Sequence, residues 1–200
     1  MSNFKQTWWD NNLPTRYDEF AGWVGAKNAP TKEYFRWYVY NKKYKSLIDL
    51  GCGNATEYFA YKEEYPELSY LGVDSSKILY NRNVELGVPM LWVETSLIPL
   101  PDGHSEVVFS RHVLEHQPSF QLLLSEMIRL ASKEAIHVFF ITPGDTEIIH
   151  YDEAQNLYHN TFSKKAIEAA ITIRKDVESF EWIPLTETET ALSIIKKAPN

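Results

Sequence analysis

From residue 46 onward the chain alternates two hydrophobic periods. SLIDLG (46–51), YLGVD (70–74), MLWV (90–93), EVVFS (106–110) and AIHVFFIT (135–142) are short runs rich in β-branched and aromatic residues, and they read as buried strands. Between them ATEYFAYKEEY (55–65), SKILYNRNVELG (76–87) and PSFQLLLSEMIRLAS (118–132) carry apolar residues near helical spacing with charges on the other side. Strand and helix alternate, which predicts an α/β fold: a doubly wound, mostly parallel sheet with crossover helices on both faces.

The two ends depart from this rhythm. FSKKAIEAAI (162–171) reads as a last helix with Ser163 as N-cap, after which VESFEWIPL and TALSIIKK flank the polar turn TETE as an antiparallel hairpin. The first 45 residues hold Trp8, Trp9, Tyr17, Phe20, Trp23, Tyr34, Phe35, Trp37, Tyr38 and Tyr40, too many aromatics for a tail. They predict one or two helices packed over the domain, either covering a sheet face or forming a lid over a ligand. The expected layout is one domain, with an aromatic-rich lid over 1–45 and a core over 46–200.

Composition narrows the function. Two hundred residues with 44% hydrophobic content can bury a core, which excludes disorder driven by high charge and low hydrophobicity. Twenty-seven acids against 20 bases give a net charge of −7, the wrong sign for a broad grip on phosphate backbones, so no nucleic-acid partner is expected. Cys52 is the single cysteine and no secretion signal opens the chain, which points to a reducing cytoplasm. The longest apolar run, AIHVFFI, is far short of the ~20 residues of a membrane span.

Candidate chemistry begins where the first strand should end. Asp49-Leu50-Gly51-Cys52-Gly53-Asn54-Ala55 lies at the carboxyl edge where open α/β sheets bind ligands, and its glycines permit positive φ and close approach to the backbone. The second strand ends in Asp74, where a carboxylate can accept both hydroxyls of a ribose, and the third ends beside Glu94. Three strands ending at or beside acids describe a site that meets a nucleoside and a cationic group. A nicotinamide site is disfavoured because position 56 is threonine instead of the third glycine of GxGxxG.

DLGCGNA, YLGVD, ETSLIPLPDG and EVVFSRHVLEH together resemble the class I S-adenosylmethionine-dependent methyltransferases, in particular the small single-domain, methyltransferase type 11-like group. The resemblance spans roughly residues 15–196, with its specific motifs between 46 and 116. It implies a Rossmann-like, seven-stranded fold closed by an antiparallel hairpin, with S-adenosylmethionine as cofactor. It also implies that Gly51, Cys52 and Gly53 line the methionine part with Asp49 near its amino group. Asp74 would hold the ribose, Glu94 and Thr95 would meet adenine, and Arg111 would offer backbone contacts to the methionine moiety. Ala55 stands where the motif commonly has a third glycine. The change is harmless if that position only needs a small residue, and strains the turn if it needs positive φ.

Methyl transfer is an in-line displacement on an already activated carbon, so the protein has to align the reactants and remove the acceptor's proton. His116, one short turn past the fourth strand, is the candidate base, and the likeness to phosphoethanolamine methyltransferases implies Tyr17 of the lid as its partner. The alternative for His116 is a hydrogen bond to loop backbone. His112, His150, Tyr158 and His159 are candidate contacts to a small organic acceptor, the last three on a long loop over 143–161 that follows the fifth strand. Cys52 is expected to be a small packed residue and not a nucleophile. Two rivals stand beside this reading. One is a protein that binds the cofactor without catalysis. The other is a zinc hydrolase, since His112-Val-Leu-Glu115-His116 fits HxxEH. Pro118 leaves little helix to hold two zinc ligands, so no metal is expected.

Overall fold

The computed structural model describes Asp10, Leu13 and residues 29–93, 97–153 and 157–198. The chain forms two compact units, residues 1–95 and 96–200. Among the described residues no helix is long and apolar enough to cross a membrane.

In the first unit α1 (Pro30–Lys42) leads into β1 (Ser46–Leu50), α2 (Thr56–Glu64), β2 (Ser69–Asp74), α3 (Lys77–Glu85) and β3 (Met90–Trp92). Pro30 begins α1, where a missing N–H costs nothing, and Lys43 closes it in the left-handed region. The strands are parallel in the order β3-β2-β1, with Leu50 beside Val73 and Asp74 beside Trp92. Leu47, Ile48, Leu50 and Val73 are all buried, as expected of strands covered on both faces. At Gly72 a Cβ would lie 2.6 Å from Met90 Sδ and 2.9 Å from Cys52 Sγ, so only glycine lets β3 and the turn after β1 close this tightly.

The second unit holds β4 (Ser105–Arg111), a 3-10 turn (Leu114–His116), α4 (Gln121–Leu130), β5 (Ala131–Phe139), β6 (Tyr151–Asp152), β7 (Leu157–Tyr158), α5 (Lys164–Thr172), β8 (Val177–Pro184) and β9 (Thr190–Lys196). β4 and β5 are parallel, while β9 runs antiparallel to both β5 and β8. The strand order here is β4-β5-β9-β8. Seven strands, mostly parallel and closed by a C-terminal antiparallel hairpin, are thus in place. Leu123, Leu124, Met127 and Ile128 form the buried stripe of α4, and Ser163 caps α5 by accepting the Ala166 amide at 3.3 Å.

Three expectations need correction. The helix over 118–132 is shorter, because Ala131 passes directly from α4 into β5, so that strand begins four residues before the position its apolar run suggests. Its first residues, ASKE, are mostly polar, and their backbone pairing with β4 and β9 is invisible in hydropathy. The stretch over 143–161 is not an open loop: β6 and β7 pair within it, and bridges at Gly144–Ser163 and Ile148–Thr161 fold it back. The helix expected from Ala55 starts at Thr56, for a reason that lies in the turn itself.

Candidate functional site

The turn after β1 is built from three left-handed residues, Gly51 (φ 76°), Gly53 (φ 57°) and Ala55 (φ 53°). The third position therefore does need positive φ, and Ala55 adopts it with its methyl fully buried. Gly51 donates its N–H to Val73 at 2.7 Å, so the turn begins as an extension of the β1–β2 pairing. Asp74 then pins it: Oδ2 accepts the Gly53 amide and Oδ1 the Ser76 amide, each at 2.9 Å. From behind, the buried Asn83 of α3 donates to the Gly53 carbonyl at 2.8 Å.

Asp49, Gly51, Cys52, Gly53 and Asp74 are brought together in this unit. Burial raises the Asp74 carboxyl to about 6 against the pull of its backbone donors. It raises the Asp49 carboxyl to about 7, although Tyr70 donates its phenol to Asp49 Oδ2 at 2.7 Å. Burial also pushes the Cys52 thiol well up, and its sulfur packs 3.7 Å from Met90 Sδ, so it sits as the small packed residue expected. The two Asp74 oxygens accept the Gly53, Ser75 and Ser76 amides and still keep acceptor capacity for a hydroxyl. Two buried carboxyls whose ionisation is penalised suit a cationic ligand, and two Cβ-free residues leave room beside the backbone. This donor set fits S-adenosylmethionine. Glu94, Thr95 and Tyr17 lie outside the described residues.

Sequence reasoning missed the supports of the turn. Tyr70 and Asn83 read as ordinary strand and helix residues, and nothing in spacing distinguishes them. Lys32 of α1 is buried and reaches Thr56 Oγ1 at 2.6 Å, at the first residue of α2. Asp10 accepts from Ser76 Oγ at 2.6 Å and from the Lys77 and Ile78 amides at 3.3 Å, capping α3 two residues past Asp74.

In the second unit the last residue of β4 and the residue after it share one acceptor. Arg111 Nη2 and His112 Nε2 meet Glu189 Oε1 at 2.8 and 2.6 Å. Glu189 belongs to the TETE turn, and its carboxyl is held at about 2, since these two partners outweigh its burial. Desolvation lowers His112, so its ring donates Nε2–H as a neutral imidazole. His112 is left-handed at φ 57°, which turns the chain sharply out of β4 and into the 3-10 turn.

His116 sits at the end of that turn. Its Nδ1 is 2.7 Å from the Tyr158 carbonyl, which makes Nδ1–H the donor and Nε2 the ring's basic nitrogen. Its ring packs 5.2 Å from both Phe140 and His159, and Phe140 also meets His112 at 5.0 Å. His116, Tyr158 and His159 are therefore brought together, while the exposed His150 joins through backbone, its carbonyl accepting the His159 amide at 2.9 Å. Desolvation lowers His159. The HxxEH pattern does not form a zinc-binding helix: Glu115 turns inward to the Phe140 amide at 2.6 Å and His137 at 3.2 Å, while His112 is bonded to Glu189.

Comparison with known proteins places this geometry. Residues 22–184 match a family model described as a methyltransferase domain. Trans-aconitate 2-methyltransferase of Deinococcus radiodurans is 25% identical over 114 residues, 57% of this chain and 43% of that protein, so the match spans under half of the curated relative's length. Two solved structures cover nearly the whole chain. The plantazolicin methyltransferase BpumL, in complex with a pentazolic desmethylPZN analog and SAH, is 13% identical with a TM-score of 0.68, over 96% of this chain and 94% of that one. The Burkholderia thailandensis 1,6-didemethyltoxoflavin-N1-methyltransferase, with bound 1,6-didemethyltoxoflavin and S-adenosylhomocysteine, is 12% identical with a TM-score of 0.65, over 96% and 88%. Likeness at this identity shows the fold, the Rossmann-like arrangement of methyltransferases.

Proposed function

The chain belongs to the methyltransferase domain family, an S-adenosylmethionine-dependent class, and on that premise we propose that it methylates an oxygen or nitrogen of a small organic acceptor in the cytoplasm. S-adenosylmethionine supplies a methyl group already activated by its sulfonium. In this reading Gly51, Cys52 and Gly53 line the methionine part and Asp49 lies near its amino group. Asp74 takes the ribose, Glu94 and Thr95 meet adenine, and the Arg111 backbone borders the methionine moiety. The residues before 46 act as a lid, a role supported by Asp10 on the α3 N-terminus beside Asp74.

His116 takes the acceptor's proton. The 2.7 Å contact of its Nδ1 with the Tyr158 carbonyl is the loop-backbone bond of the alternative reading, and what supports the base is that this bond makes Nε2 the nitrogen able to take a proton. The rings of Phe140 and His159 against His116 suit a small unsaturated or aromatic acceptor. The trans-aconitate and toxoflavin enzymes named above, both acting on small organic molecules, support that class.

Incubating the protein with methyl-labelled S-adenosylmethionine and metabolite fractions, then reading the gain of one methyl mass, tests the proposal. A labelled small molecule is the expected result. Label confined to nucleic acid or protein would overturn the acceptor class, and tight cofactor binding without turnover on any fraction would favour the catalytically silent alternative.

A further inference from the structure

Glu115 is a fully buried acid of the second unit that the reading above leaves without a role. It is fully buried, yet four groups converge on it: Oε1 accepts the Phe140 amide at 2.6 Å and the Ile141 amide at 3.4 Å, Oε2 lies 3.2 Å from His137 Nε2, and its backbone carbonyl accepts the Asn160 amide at 3.0 Å. Those contacts grip both flanks of His116. Phe140, whose amide Glu115 holds, packs on the His116 ring. Asn160, tied also to the Gln117 carbonyl at 2.6 Å and the His150 amide at 2.9 Å, fixes the strand whose Tyr158 carbonyl bonds His116.

Charge makes this more than a brace. His137 is buried, and among the described residues its Nδ1 has no hydrogen-bond partner, which suits a lone pair and not an N–H. With its lone pair at Nδ1, the ring donates Nε2–H to Glu115 Oε2 across 3.2 Å. Burial alone would raise the Glu115 carboxyl, but the His137 and amide donors outweigh it and keep the group ionised. In this region Arg111 ends β4 and His112 follows it, β5 carries His137, β7 and the residue after it carry Tyr158 and His159, and Asp152 and His150 act electrostatically on His159. Arg111 is neutralised by Glu189 across 2.8 Å, and His112 and His159 are pushed toward neutrality by desolvation. Glu115 is the fully buried carboxylate of this group, paired with the His137 ring across 3.2 Å.

We propose that Glu115 is a positioning residue for His116, its sealed negative charge holding the imidazole basic while its hydrogen bonds fix the two backbones that flank the ring. This rests on His116 being the base, and the test separates the two. In Glu115→Gln the amide oxygen keeps the Phe140 contact and the charge is lost, while the NH2 faces the His137 Nε2–H and that contact is lost with it. Imidazole-labelled NMR titration of the wild type should show His116 titrating roughly one pH unit higher than in the variant, as expected for removing a nearby opposite charge. The acid limb of kcat should move with it, kcat should fall about tenfold, and KM for S-adenosylmethionine should stay the same. Glu115→Asp, with its charge set back by one methylene, should lie between. An unshifted His116 in a folded Gln variant, or in the Asp variant if the Gln variant does not fold, overturns the proposal, as does an Asp variant shifted as far as Gln. Full activity in His116→Ala together with a shifted His116 titration in Glu115→Gln would refute the base reading and leave the coupling intact.

Discussion

Asp74 Oδ2 accepts the Gly53 amide across 2.9 Å, so the acid that ends β2 also holds the shape of the turn that follows β1. One carboxylate thereby serves as structural clasp and as ribose acceptor. Asp74→Ala removes hydrogen bonds to a charged acceptor, each worth about 1.5–3 kcal/mol, and should weaken S-adenosylmethionine binding roughly 10- to 150-fold by calorimetry. Because the clasp goes too, the melting temperature should fall. Unchanged affinity in a folded variant would remove Asp74 from the site.

Asp49 and Asp74 give both stability and binding a pH dependence. Burial raises these carboxyls from 3.8 to about 7 and about 6, so the folded chain keeps protons that the unfolded chain releases. Their contribution to stability is full below about pH 4 and is lost as pH rises through about 6 to 7. Asp49→Asn, which still accepts the Tyr70 phenol, should flatten that part of the stability profile and melt higher than wild type at pH 8. A cationic ligand favours the ionised acids, so affinity for S-adenosylmethionine should rise between about pH 5 and 8, with proton release on binding. Calorimetry in buffers of different ionisation enthalpy measures both, and a flat profile would count against the acidic cradle.

Ala55 invites restoration of glycine, yet three terms nearly cancel. Relief of the left-handed conformation is worth about 1–2 kcal/mol, the extra chain entropy of glycine costs about 0.5–1 kcal/mol, and the buried methyl contributes about 0.8 kcal/mol. Ala55→Gly should therefore leave denaturation midpoint and cofactor affinity nearly unchanged. Ala55→Val, β-branched at positive φ and with no space at a fully buried site, should destabilise the chain by more than about 2 kcal/mol. A large gain in affinity for the glycine variant would show that the alanine is a defect.

His116→Ala should lower kcat by ~10² to 10⁴ and leave cofactor affinity within about twofold, since the base is not part of the glycine turn. Chelators should not change the rate, because Glu115 faces inward and His112 is bonded to Glu189. Normal turnover in the variant would return His116 to a structural role.

Glu189 joins the hairpin turn to the end of β4. Its carboxyl is held near 2 from an ordinary 4.5, so its contribution to stability is present above about pH 4.5 and lost as pH falls toward 2. Glu189→Gln should lose part of the acid-limb stability seen in wild-type melts, and identical melts between pH 2 and 5 would show that the contact to Arg111 and His112 carries no weight.

Sequence by itself determined what depends on local pattern: the strand and helix periods, the Ser163 cap, the hairpin about TETE, and the glycine turn with its acid after β2. These are short-range properties, because burial on both faces forces continuous apolar strands and a left-handed turn demands small residues. Tertiary structure alone decided which polar groups meet. Tyr70 on Asp49, Asn83 on the Gly53 carbonyl, Glu189 on Arg111 and His112, and His137 on Glu115 are pairs separated by 21 to 78 positions. No spacing rule encodes them. Packing brings them together, and the need to satisfy a buried polar atom fixes the partner only once neighbouring elements have excluded water. The same holds for β5, whose polar first residues belong to a strand because β4 and β9 offer backbone partners there, not because their side chains alternate.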